Sequence, residues 1–253
     1  MAGFTGGFSV SGNSVTVSIA RQSSLVETRA YVYTFVNAFG EEGPPSPPLS
    51  LDVPENGAVT LTIPGASGVI DAYTPITRIR LYRSATGSAD TRFLFATEFA
   101  TGSTVVYTDT LQAANLGEAL STTGYYPPPR YLTGLISLPN GILAAFKGRE
   151  VWVSEPYLPY AWNPDNIITT KDDVVALCAA AGGFYVVTKS HPYFVSGVTP
   201  DAMSQIKLDS VQAGVSKEAI TNIGAMAVWA SNDGLVTAQG ITAIVTGKQW
   251  FIS

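Results

Sequence analysis

Side chains able to do chemistry are few in this chain. His191 is its only histidine and Cys178 its only cysteine. A zinc site needs about four close N, S or O ligands, so one His and one Cys do not make one. His191 precedes Pro192 at an expected strand start, which assigns it to a turn or strand edge. Cys178 lies in the apolar run VVALCAAA, where a thiol behaves as a small buried hydrophobe, and one cysteine leaves no intrachain disulfide. Glu155 and the pair Asp172–Asp173 have the chemistry of a glycosidase acid and base. They bracket a link between two repeats, where carboxylates ordinarily face solvent. No Gly-x-Ser-x-Gly elbow and no phosphate-cradling glycine loop occurs. The expectation is a protein that is not an enzyme and holds no metal or cofactor.

Aromatic residues offer a different chemistry. Tyr157, Tyr160 and Trp162 fall in PYLPYAWNPD, read as a loop. Together they could form a platform for a glycan or a protein contact; the alternative is a plug over the repeat core. Trp152 and Trp229 fall on expected strands and are placed between packed sheets. Trp250 lies in the last segment, GKQWFIS, where a further strand is expected to begin.

The elements that must position these residues are strands. No window of 11–18 residues keeps apolar spacings of three and four. Short runs of Val, Ile, Thr, Tyr and Phe, bounded by Gly, Pro, Asn and Ser, dominate instead. The fold class is therefore all-β. One short helix is expected at TPDAMSQI (199–206), capped by Thr199 with Pro200 in its first turn. Three segments share a pattern of strand, glycine turn, strand, polar turn and strand: 136–155, 177–197 and 220–240. Their turn glycines, Gly141, Gly183 and Gly224, recur with the period of propeller blades. The links between the segments are long enough to add an outer strand each. One small sheet cannot bury both faces alone, and stacking sheets solves that. A different β-repeat or a sandwich remains the alternative. Three blades fall short of a ring, since propellers use ~4–8. SNDGLVT (231–237) reads as a tight Asp-Gly hairpin turn. It resembles the Asp-box of sialidase-type propellers, but Gly234 follows Asp233 directly and the terminal aromatic is missing.

Charge narrows the partners. The net charge is −5, and only 13% of the 253 residues are charged, about half the ~25% usual for soluble domains. Clustered Lys and Arg, the footprint of nucleic-acid binding, are absent. Arg78, Arg80 and Arg83 are read as a solvated strand face. Such sparse charge suits a surface covered by partners, or a β-protein with a Ser/Thr surface. No secretory signal is visible at the N-terminus. The longest apolar stretch, 174–187, is too short to span a bilayer.

The first half resembles a fibronectin type III or immunoglobulin-like sandwich. AYVYTFVNAFGEEGPPSPP resembles its last strand pair, AVTLTIPG an early core strand, ITRIRLYRSATG the next, and FLFATEFATGSTVVYTDT those after. The order is late, early, middle, a circular permutation, which exposed termini tolerate. The expected plan has N-terminal strands at 1–27 that could complete a propeller. A sandwich follows at 28–115, then a Pro-rich connector at 116–132 and propeller-like repeats at 133–253. GPPSPPL (43–49) and YYPPPR (125–130) are read as strand-edge or stiff connectors.

YYPPPRYLTGLISLPNGILAAFKGREVWVSEPYLPYAWNP, VVTKSHPYFVSGVTPDAMS, QAGVSKEAI and WASNDGLV, with LGEAL before them, resemble tailed-bacteriophage virion proteins. YVYTFVNAFGEEGPPSPP and RIRLYRS also look like parts of these proteins. SVQAGVSKEAITNIGAMAVWAS is more distantly similar to blades of the tail hub or nozzle proteins of short-tailed phages, which form rings of propeller subunits. The resemblance implies a structural tail component in a homo-oligomeric ring, with other tail proteins as partners and DNA sliding through an acidic channel without specific binding. It also implies a virion protein assembled in the host cytoplasm without a membrane anchor. Two alternatives stay open: a receptor-binding or fibre-attachment protein that contacts host glycan, and a propeller glycosidase.

Overall fold

The computed structural model describes residues 5–10, 13–18, 25–66, 75–85, 92–102 and 104–246, the first two stretches by their backbone. The chain divides into two compact units, 1–123 and 124–253. The division falls inside the expected 116–132 connector. Every sheet is antiparallel, and none closes on itself among the described residues. The all-β expectation holds.

In the first unit, β1 (Thr5–Val10) and β2 (Asn13–Ser18) form a hairpin. β3 (Val26–Asn37), β4 (Leu49–Pro54), β5 (Val59–Ile63), β6 (Ile76–Ser84), β7 (Phe93–Ala100) and β8 (Val105–Asp109) follow. One sheet has the order β4-β3-β6-β7, and β5 pairs with β8 in another. β2 lies beside β5. Alternation explains the core: β5 reads Val59, Leu61, Ile63 inward, and β6 reads Ile79, Leu81 inward, as a half-buried strand requires. The Pro-rich segment runs along the edge of β3, where the Gly43 and Ser46 N–H groups donate to the Phe35 and Tyr33 carbonyls.

Arg83 departs from the expected solvated face. Arg78 and Arg80 share one face of β6 and pair with Glu98. Arg83 is an odd number of residues further on, so it falls on the core face with Ile79 and Leu81. There it is 1% exposed and donates to Asp109 at 2.7 Å and to the Leu111 carbonyl at 2.7 Å. Asp109, also buried, accepts from the Tyr31 hydroxyl at 2.7 Å and from the Leu111 N–H. One carboxylate thus joins β3, β6 and β8 across the two sheets.

The second unit begins with β9 (Thr133–Ser137), β10 (Leu143–Lys147), β11 (Glu150–Glu155) and β12 (Leu158–Trp162), a serial sheet to which the short β13 (Ile168–Thr169) adds beside β11. A second serial sheet follows: β14 (Val174–Ala180), β15 (Gly183–Thr188), β16 (Tyr193–Ser196), β17 (Ser204–Lys207). The third is β18 (Ile220–Ile223), β19 (Met226–Ser231), β20 (Gly234–Gln239), β21 (Thr242–Thr246). In the first two sheets the link after the third strand supplies the fourth, as expected. The first strands converge, with β14 lying beside both β9 and β18.

The sheets stack through two cores. On β15, Phe184 and Val186 pack with Ala144, Phe146, Val151 and Val153 of the first sheet. Their neighbours Tyr185 and Val187 pack with Ala227, Trp229, Val236 and Ala238 of the third. Strands β14 to β16 of the middle sheet are buried on both faces and read as nearly unbroken apolar runs, whereas the outer strand β17 (SQIK) is exposed. Cys178 is a small hydrophobe of the second core, and burial pushes its thiol up to about 11.

Two expectations need correction. The repeat glycine of the middle sheet is Gly182, which carries the turn at φ 78°; Gly183 already belongs to β15. A Cβ on Gly183 would lie 2.0 Å from the Val195 carbonyl oxygen, so close strand approach requires glycine there. The helix at 199–206 is one 3-10 turn, Pro200–Ala202, in which Thr199 makes no side-chain cap. The chain then extends because Ser204–Lys207 pairs with β16 in register. Trp250 and the segment GKQWFIS lie outside the described residues. β1 and β2 pair with one another.

Candidate functional site

Two turns and one loop meet at an end of the first sheet. The β9–β10 turn places Gly141 at φ 76°. The β11–β12 turn places Tyr157 at φ 60°, a left-handed conformation that a bulky residue adopts only when its surroundings hold it there. What holds it is the Gly141 turn. The Tyr157 N–H donates to the Gly141 carbonyl at 3.0 Å. A Cβ at position 141 would sit 2.5 Å from the Tyr157 ring, so the ring lies directly on the glycine. Tyr157 is 76% exposed.

Tyr160 packs edge-on against Tyr125, with ring centroids 6.4 Å apart. Trp162 is not in a loop. It ends β12, is buried, and donates its indole N–H to the Pro159 carbonyl at 2.8 Å. Its backbone pairs with Tyr126, so the Pro-rich segment 125–130 starts as an edge bridge to this sheet. Of the three expected contact residues, Tyr157 is presented to solvent and Tyr160 is half-buried. Trp162 is the plug. Trp152 is only half-buried and bonds Glu150, whereas Trp229 packs between sheets as expected.

The charge at this end was not foreseen. Glu155 is pushed above the usual carboxylate range, first by burial and then by the charge of Asp201. The Tyr125 hydroxyl is raised by burial and by Glu155. Asn140 ties the β9–β10 turn to the loop after β16 by donating to the Val198 carbonyl at 2.9 Å. An exposed tyrosine, an edge-packed tyrosine pair and two neighbouring carboxylates thus share one rim. Such a surface can stack against and hydrogen-bond a polar partner. Sequence spacing could not reveal Tyr125, Asn140 or Asp201 as members, because three separate segments supply them.

The other chemical candidates have structural partners. Asp173 is half-exposed and held below its usual range by Lys189, with Arg149 also near. His191 shares a hydrogen bond of 2.9 Å with the Ser190 hydroxyl in the turn before β16. A hairpin turn joins β19 to β20 as expected, but its two residues are Asn232 and Asp233 rather than Asp-Gly, and Gly234 already pairs in β20. Gln212 fastens it, donating to Asp233 and accepting from Ser231. Among the described residues, no three His, Cys, Asp or Glu side chains gather as a metal site, and no helix is long and apolar enough to cross a membrane.

No protein-family model matches this chain, and no curated protein sequence matches it either.

Proposed function

We propose that this chain is a structural component of a bacteriophage tail, a hub- or nozzle-type ring subunit contributing to the DNA-ejection conduit. The observation that carries the reading is the serial stack of three sheets, each with four strands in chain order and the first with β13 added, whose first strands converge. A serial stack of this kind is what successive blades around a propeller axis would give, and it supports the reading. The resemblance of residues 117–240 to tailed-phage virion proteins supplies the biological setting. The first unit suits a permuted fibronectin III or immunoglobulin-like module. Strands that come last in such a sandwich share a sheet with the third strand, while the second pairs with the fifth. Here β3 and β4 share a sheet with β6, and β5 pairs with β8. The mechanism is mechanical: stiff β-modules and broad interfaces of low charge bear load, and a net charge of −5 disfavours DNA adhesion. Immunogold labelling of purified virions tests the proposal. Label at the tail is expected; label on the capsid shell alone, or only in infected cytosol, refutes it.

A second reading, host-glycan recognition by a receptor-binding or fibre-attachment protein, draws on the exposed Tyr157 and the Tyr125–Tyr160 pair. A glycan array probed with the purified chain decides it. Binding lost on Tyr157→Ala supports this reading, and an array without hits removes it.

A further inference from the structure

The sheet β18–β21 has one face buried under its neighbour and one face bare. The buried face carries Trp229 and Val236. On the bare face Val228, Thr237 and Ile244 stand in one cross-strand row, with Leu235 and Thr246 in the next. None of these residues is charged, and Leu235 and Ile244 are 43% and 58% exposed.

The middle sheet shows what covers such a face. Ala180 pairs with Gly183 and Ile223 with Met226 across two-residue turns, so Val228 of β19 stands where Tyr185 stands on β15. Tyr185 is buried beneath the next sheet. The first strands say the same. β14 is flanked by β9 and by β18, and it is mostly buried. β18 is flanked by β14, and its Thr221, Asn222 and Ile223 are exposed. At the opposite end of the stack, the outward face of the first sheet carries exposed Leu135 and half-buried Leu143 and Trp152. Each end of the series thus offers an apolar sheet face that the interior of the series would cover with another sheet of its own kind.

We infer that a second copy of this chain covers the bare face, its β9–β12 sheet lying on β18–β21, and that two copies joined reciprocally complete one ring of six sheets. The inference rests on the propeller reading above and goes beyond it by naming the interface. The three sheets among the described residues are too few to close a ring, whereas the six that two copies bring fall within the ~4–8 that propellers use. The contact is head-to-tail and closes after two subunits, leaving no unpaired face to propagate a filament.

Light scattering on the purified full chain provides the first test. The expected mass is twice that of the chain, falling to a single chain in a Leu235→Arg/Ile244→Asp variant whose circular dichroism is unchanged. A second test does not depend on that variant folding. Chains bearing Leu135→Cys are mixed with chains bearing Ile244→Cys and treated with a short bis-maleimide; buried Cys178 is the common background. Covalent dimers are expected in the mixture and in neither chain alone. A monomeric wild type overturns the inference, as does dimerisation indifferent to the Leu235→Arg/Ile244→Asp change. Cross-linking of the Ile244→Cys chain with itself overturns it in favour of a face-to-face dimer. A monomer in solution would leave the tail assignment standing on virion labelling, so the two failures are distinguishable.

Discussion

The two units solve the same problem by different means. In the first, two sheets share one core, and a buried ion pair joins them at its edge: Arg83 and Asp109, with Tyr31 as third partner. In the second, one sheet serves two cores, and both are built from apolar side chains and aromatics. A sandwich can be specified by a single polar link because only one pairing of sheets satisfies it. A stack repeats the same apolar contact, so what distinguishes its members is local: turn glycines, register and the clamp that Gln212 places on the β19–β20 turn.

The strongest way to break this contrast is Asp109→Ala. It leaves Arg83 charged and buried without its carboxylate, which costs about 3–5 kcal/mol. Urea denaturation should show the loss. Replacing the pair together, Arg83→Met with Asp109→Leu, should recover most of it, because no orphaned charge remains. Phe184→Ala comes next, at about 3–5 kcal/mol for a deleted core aromatic. Its more informative readout is amide hydrogen exchange. Phe184 faces the first sheet, so protection should fall in β10 and β11 more than in β19 and β20; Trp229→Ala should do the opposite. Equal loss on both sides would mean that the stack behaves as one core. Gly183→Ala should cost about 1–3 kcal/mol, the range for forced overpacking, seen as a lower melting temperature. Gly182→Ala, strained by its φ but open to solvent, should cost less.

The smallest effect concerns Glu155. Its folded-state value is raised, so the stability it contributes is fully present below the ordinary glutamate range and is lost as pH rises through the raised value. Glu155→Gln should therefore move the urea midpoint upward relative to wild type at pH 7, and the gain should vanish at pH 3.5. A gain that persists at low pH would mean that charge is not its origin.

The stack was legible because its cause is periodic. The run GFYVVT has no polar alternation, and only a strand covered on both faces tolerates that. Arg83 was also within reach: an odd spacing from Arg80 puts the two on opposite faces of any strand. It was misread because three nearby arginines suggest a single solvated patch. The prolines around Trp162 suggest a loop, yet Pro159 is exposed on β12, where a missing N–H is tolerated. The rim around Tyr157 is half legible. Tyr157 and Tyr160 stand close in sequence, but Tyr125, Asn140 and Asp201 arrive by tertiary folding, and no local pattern announces that.

The double burial of the middle sheet also sets how the second unit should give way under load. Strands β14–β16 are gripped from both sides, whereas β18–β21 are gripped from one. Tension applied at residue 246 should therefore peel the last sheet first, as a separate early rupture. The remaining pair should yield at higher force, and a partner seated on the bare face should merge the two events.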